Sequence, residues 1–309
     1  MDSHSEGCKK EGTIMLAQEE VEEILKAGKI VKDVRNRVAS FVREGAKVLE
    51  ICERVEEEIR RIGGEPAFPC NVGIDNIGAH YTSPPGDETI IRAGALVKVD
   101  LGAHVNGFVA DSAVTISLGS DYEEMIMVAE EALERAIETV RVGGRISDVG
   151  AVIERTIKSH GYRPISNLTG HQIAKYTIHA GVSVPNVATK DGGRFEAWSL
   201  YAIEPFVTLP EAAGEVVNGQ PGNILHVIKL KGPKDQMART YFDWLIKSYR
   251  TLPFARRWVS KLEGYKLTER LISEHFLYEY PVLVERSGKA IAQAEHTLLT
   301  TDKEIIVIT

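Results

Sequence analysis

The 309-residue chain predicts an α+β fold: a pseudo-twofold, duplicated sheet of antiparallel or mixed strands, backed by helices and interrupted once by a helical insertion. Three observations predict it. A helix-pair-plus-strands pattern occurs twice. The strand-like segments are joined by hairpin signals, not by βαβ crossovers. A stretch at about 220–276 is helical in period and has no counterpart in the first copy.

The duplication is read from GAKVLEICERVEEEIRRIGGEP (45–66) and GGRISDVGAVIERTIKSHGYRP (143–164), offset by 98 residues from Gly45 to Gly143. At that offset Glu56, Ile59, Gly63 and Pro66 meet Glu154, Ile157, Gly161 and Pro164. Val48, Ile51 and Val55 meet Ile146, Val149 and Ile153, at helical spacing. Gly63 and Gly161 read as the residues that stop each helix. A further helix precedes each copy, over about 17–43 and 121–141. Chance alignment of two amphipathic helices would not also match the terminal Gly and Pro. Two copies of this length are not a solenoid. No GxGxxG or GxxxxGK[ST] opens a helix, which disfavours a nucleotide-binding fold.

The next element is VKVDLGAHVNGFVADSAVTI (97–116). Asn106-Gly107 is a type I′ hairpin signal, because both central residues need positive φ. A hairpin centred there sets Asp100 opposite Ala113 and Asp111 opposite Gly102. Asp100 and Asp111 then share a face, on the order of 7 Å apart at Cα. A turn shifted by one residue would separate them. Two carboxylates side by side against an apolar layer need a shared proton or a cation. A solvated edge hairpin is the plainer alternative. Beyond it, TYFDWLIKSYRTLPFARRWVSKLEG reads as the helical insertion, broken at Pro253. The last strands are EYPVLVERSG and KAIAQAEHTLL, with Ser287-Gly288 as the turn between them.

Composition narrows the function. At 43% hydrophobic and 26% charged, the chain is long enough for a large core. A net charge of −7 argues against nucleic acid as the default partner and favours cationic ligands such as an α-amino group or a metal ion. Cys8, Cys52 and Cys70 are few and lack metal spacing, as expected in a reducing compartment. No apolar run approaches a membrane span. The polar start reads as a disordered tail over 1–13, with one domain over 14–309. A cytoplasmic monomer is expected.

Further polar residues interrupt strand-like contexts: His171 and His179 in NLTGHQIAKYTIHAG, Glu204 in YAIEPF, and Glu295 in AQAEHT. Singly, a His beside Gly is a structural hydrogen bonder and a Glu closes a surface ion pair. With Asp100 and Asp111 they form an oxygen-rich set, of the kind that holds a pair of divalent metals and not a thiolate-bound structural zinc.

These motifs, with FPCNVGIDNIGAHYTS, resemble the type II methionine aminopeptidases of the archaeal kind from about residue 14 to Thr309. The resemblance implies the pita-bread fold and two divalent ions (Co, Mn, Fe or Zn). It implies Asp100, Asp111, His171, Glu204 and Glu295 as ligands, with Asp111 and Glu295 bridging. It implies Glu204 as proton shuttle, His80 at the scissile amide, His179 at the oxyanion, and Phe68, Ile178 and Tyr280 around a methionine side chain. Simple core packing is the alternative for those three. The implied partners are N-termini of nascent polypeptides, met at the ribosome. Ser83 stands where the family has Pro, Ala294 where it has Phe, and Gly73 and Asp75 where it has Ser and Asn. None removes a ligand. The rivals are an X-Pro peptidase of the same fold, a binding relative without catalysis and a structural interaction protein.

Overall fold

The computed structural model of the protein describes residues 16–119, 121–190, 192–229, 231–260 and 264–309. The tail expected over 1–13 lies outside them. The first half contains α1 (Gln18–Val38), α2 (Val48–Arg61), β1 (Glu65–Pro66), β2 (Asn71–Ile74), β3 (Ile77–Ala79) and the long strands β4 (Leu96–Val105) and β5 (Phe108–Ser117). The second contains α3 (Glu123–Thr139), α4 (Ile146–Ser159), β6 (Arg163–Pro164), β7 (Thr169–Ile173), β8 (Ser183–Pro185), β9 (Ser199–Ile203) and β10 (Phe206–Thr208). Next come β11 (Val216–Val227), α5 (Gln236–Tyr249), β12 (Phe254–Ala255), α6 (Arg256–Val259), α7 (Gly264–Ser273) and β13 (Leu277–Glu285). The chain closes with β14 (Ile291–Gln293), β15 (His296–Thr300) and β16 (Ile305–Val307).

The duplication holds at the level of single residues. Helices α2 and α4 begin and end at matched positions. Gly63 and Gly161 stop them with φ of 90° and 82°, a conformation open to glycine at little cost. Strand β1 pairs Pro66 with Ala103 of β4, and β6 pairs Pro164 with Val207 of β10. Strand β2 pairs Gly73 with Lys98, and β7 pairs His171 with Ala202. Thus β9 and β10 together repeat β4. The repeat is cut at Glu204-Pro205, where a proline cannot donate to the ladder.

Each half buries its helices against its own strands. Ile24, Val31 and Val34 of α1 and Ile51 and Val55 of α2 pack with Val99, Leu101 and Val109. Val128, Ala132, Val149 and Ile153 pack with Tyr201, Ile203 and Leu298. These stripes recur every three or four residues, so each helix presents one apolar face.

The insertion differs in extent from the expected 220–276. Residues up to Val227 belong to β11, which lies between β12 and β13. Its register slips between Asn218 and Pro221 and again before Leu225, so no clean alternation marks it as a strand. The helices begin at Gln236, and α5 ends at Tyr249, ahead of Pro253. A buried network ties the insertion to the first half. Arg257 pairs with Glu56, and its Nη1 donates to Thr82 Oγ1 at 2.7 Å. Trp258 Nε1 donates to the same Glu56 at 2.8 Å.

Candidate metal centre

The hairpin turns where Asn106-Gly107 placed it, with φ of 49° and 91°. Asp100 faces Ala113, and Asp111 faces Gly102. The two acids therefore share a face, and that face is buried. Phe68 lies against Gly102, where an added Cβ would come within 2.3 Å of the ring. Glycine there is a condition for seating the phenylalanine.

One cleft, with a cavity of about 220 Å³, is lined by every site residue expected from the sequence: Phe68, His80, Asp100, Asp111, His171, Ile178, His179, Glu204, Tyr280 and Glu295. Asp100 and Asp111 come from β4 and β5, and His171 from β7. Glu204 and Glu295 sit in the two interruptions, β9 to β10 and β14 to β15. His171 Nε2 lies 3.7 Å from Asp111 Oδ2 and 3.5 Å from Glu204 Oε1. Donor atoms of Asp111, His171 and Glu295 all fall within 4.8 Å of one another.

The electrostatics are those of a cation site. Burial raises the Asp100 carboxyl to about 7. Burial, then repulsion among the acids, pushes Asp111, Glu204 and Glu295 well above their ordinary range. Burial lowers His171 to about 3, so its imidazole is neutral and can offer a lone pair. Its approach to the carboxylates is therefore not an ion pair. Asp100 Oδ1, Asp111 Oδ1 and His171 Nδ1 are buried without a hydrogen-bond partner. Unpartnered carboxylate oxygens beside a neutral imidazole fit divalent cations by donor chemistry.

Histidines and aromatic rings face this set. The His179 and His171 rings are 4.4 Å apart, edge to face. His80 meets Tyr280 at 5.2 Å. Burial holds His80 near 4 and lowers His179. His80 also has a φ of 64°, a costly backbone for a non-glycine residue and one that clusters at functional sites.

Several supporting residues escaped the sequence reading. Gln293 Nε2 reaches Glu204 at 3.3 Å and Glu295 at 3.4 Å. Asn186 Nδ2 donates to the Glu204 carbonyl at 3.1 Å. Asn71 lines the cleft. Amides inside strands were the available signal for Gln293 and Asn71. Asn186 follows β8 and carries no local mark. Ala294 sits in the core of the second half and is absent from the cleft wall, so the smaller side chain alters packing beneath Glu295.

Comparison with known proteins identifies the family. Metallopeptidase family M24 matches residues 22–243. The methionine aminopeptidase of Methanothermobacter thermautotrophicus is 42% identical over 94% of this chain and 98% of its own length. That of Methanocaldococcus jannaschii is 40% identical over 93% and 98%. Among solved structures, a thermophilic Arx1 superposes with a TM-score of 0.81 at 17% identity, covering 95% of this chain and 91% of that one. A Thermotoga maritima methionine aminopeptidase gives 0.69 at 24%, covering 96% and 99%. A Pyrococcus furiosus prolidase gives 0.63 at 19%, but this chain spans only 65% of it.

Proposed function

The chain belongs to metallopeptidase family M24 as a methionine aminopeptidase, and from that premise we propose how its cleft removes an N-terminal methionine. The observation that carries the reading is the pairing of four carboxylates, Asp111 and Glu295 buried and Asp100 and Glu204 half-buried, and a neutral imidazole with an apolar, aromatic wall in one cavity. The family implies a divalent metal, and the donor set supports two ions, of Co, Mn, Fe or Zn, held by Asp100, Asp111, His171, Glu204 and Glu295. Asp111 and Glu295 would be the ligands shared between them. When bound, such ions acidify a water and polarise the scissile carbonyl.

The chain's own residues do the rest. Phe68, Ile178 and Tyr280 receive the methionine side chain, whose polarizable thioether suits aromatic edges. The carboxylate Glu204 takes the attacking water's proton and delivers it to the leaving amine. Neutral His179 donates to the oxygen on which charge develops. His80 hydrogen-bonds the scissile amide. The acidic cluster attracts the free α-amino group, which selects chain ends. A shallow second-residue pocket restricts release to small second residues. In the cell the substrates are nascent N-termini at the ribosome, and the enzyme acts as a cytoplasmic monomer.

Purified enzyme with Mn²⁺ should release Met from Met-Ala-Ser and leave Met-Asp-Ser intact. Release from X-Pro peptides in place of Met-Ala-Ser would favour the prolidase reading. His179→Ala should lower kcat by roughly 10²-fold with metal content unchanged. Loss of metal in that variant would make His179 a ligand and overturn its role.

A further inference from the structure

The two half-sheets meet along β5 and the strands β14 and β15. Among the described residues no main-chain ladder joins them there; side-chain hydroxyls do. Asp111 N donates to Thr297 Oγ1 at 2.8 Å, and that hydroxyl donates back to the Asp111 carbonyl at 2.8 Å. Gln293 N donates to Thr115 Oγ1 at 2.8 Å, and that hydroxyl donates back to the Gln293 carbonyl at 2.6 Å. These clasps are symmetry mates. Gly102 pairs with Asp111 as Phe206 pairs with Gln293, and Thr115 lies four residues past Asp111 as Thr297 does past Gln293.

Glu295 falls outside this symmetry. Its matched position in the first half is Ala113, so no clasp of this kind grips it. Its carbonyl accepts instead from Ser112 Oγ at 2.6 Å. The matched position of Ser112 is Ala294, which has no hydroxyl to return a second tie. Ser112 is itself held from behind. Arg35 Nη1, from α1, donates to Ser112 Oγ at 2.9 Å and lies 2.8 Å from His296 Nδ1. Arginine can only donate, so that ring nitrogen is the acceptor. His296 Nδ1 is also 3.0 Å from Thr309 Oγ1, which accepts from Thr297 N at 3.1 Å.

We propose that Arg35 is a positioning residue of the metal centre, fixing through Ser112 and His296 the place of Glu295 relative to Asp111 across the seam. The inference rests on reading Asp111 and Glu295 as the shared ligands. Both ties of Arg35 fall on residues next to those two carboxylates in the chain. One fork therefore sets the spacing of the two strands that carry the acids.

The test uses full-length protein, stripped and reloaded with Mn²⁺, as wild type, Arg35→Met, Arg35→Lys, Ser112→Ala and the Arg35→Met/Ser112→Ala double variant. Mn²⁺ affinity is read by calorimetric titration, kcat and KM on Met-Ala-Ser, and melting of the metal-free protein by scanning calorimetry. Arg35→Met should weaken Mn²⁺ binding by about 10-fold or more and lower kcat similarly, with KM unchanged. Arg35→Lys should recover part of both. Ser112→Ala, which removes only a hydroxyl, should weaken Mn²⁺ binding even if Arg35→Met does not fold. The double variant should lose less than the sum of the two single variants, because Arg35 acts in part through the Ser112 hydroxyl. Wild-type affinity in Arg35→Met and Ser112→Ala, tighter binding, or fully additive losses would overturn the role of Arg35 and leave the metal reading intact. Failure of the wild type to bind Mn²⁺ would overturn both.

Discussion

In the first half the central strand β4 runs unbroken from Leu96 to Val105, whereas its counterpart is cut at Glu204-Pro205 into β9 and β10. Matched positions carry different chemistry. Asp100 corresponds to Glu204, Asp111 to Gln293, Ala113 to Glu295 and Gly73 to His171. An imidazole has no room in the first half. A Cβ on Gly73 would come within 2.7 Å of the Ile77 carbonyl and 3.1 Å of Lys98 Cε. In the second half Lys98 is replaced by Ala202, and the freed volume admits His171. Duplication thus supplied the strand register and the threonine clasps, and single side chains at matched positions made one composite site of two halves.

The largest effect should come from breaking that asymmetry at its centre. Asp111→Asn removes a shared carboxylate and should cost more than the 10- to 100-fold typical of a supporting contact, so at least about 100-fold in turnover, with metal lost. Gln293→Ala, at the matched position, should cost only about 10-fold, because it orients carboxylates without binding metal. Full metal content with normal turnover in Asp111→Asn would remove that residue from the site.

The insertion has no counterpart against which to lose symmetry, and its anchor gives the next effect. Arg257→Met leaves Glu56 buried and unpaired, which typically costs about 3–5 kcal/mol. Chemical denaturation should register this as a lowered midpoint. An unchanged midpoint would mean that Arg257 does not anchor the insertion, leaving the Trp258 hydrogen bond and the apolar contacts to hold it.

Acidity sharpens the comparison further. Between pH 7.5 and 8.5 the lowered histidines His80, His171 and His296 are essentially neutral in folded and unfolded chains alike, since an unfolded histidine titrates near about 6.5. Asp111, Glu204 and Glu295 are raised well above their ordinary range, so each stabilises the fold only while protonated. Lys98, lowered to about 7, pulls the other way with one proton. With those carboxyls raised and Lys98 acting against them, the metal-free protein should lose stability as pH rises through this window. Bound Mn²⁺ should reverse the trend, since cations hold the carboxylates ionised and protons compete with metal. Melting curves at pH 7.5 and 8.5, with chelator and with Mn²⁺, check both signs.

The smallest effect separates the two clasps. Thr297→Val and Thr115→Val each strand a buried backbone pair and should cost a similar 1–3 kcal/mol, roughly. Only Thr297→Val frees Asp111, so it should lower turnover more than its mate. Equal losses of activity would show that the clasps serve stability alone.

Much of this was legible in the chain. Asn106-Gly107 fixes a turn by local sterics, and the turn fixes which acids share a face. The helix ends at Gly63 and Gly161 are likewise local. The candidate metal ligands were marked by polar groups inside apolar, strand-like segments. The extent of β11 was not legible, because Gly219, Pro221 and Gly222 break its alternation and only pairing with β13 makes it a strand. Arg35 was unreadable for a different reason. On an amphipathic helix it looks like any residue of a solvated face, and its partners lie 77 and 261 positions away.

By itself the sequence determined the duplicated units and the hairpin turn, and it marked the candidate donors, because turn sterics, helical period and the rarity of buried charge act over short stretches of chain. Tertiary structure alone decided where the halves meet, that threonine hydroxyls replace a ladder there, and that an arginine backs one of the acids. Those contacts depend on packing between elements remote in sequence, and packing follows from shape and space that no local pattern encodes.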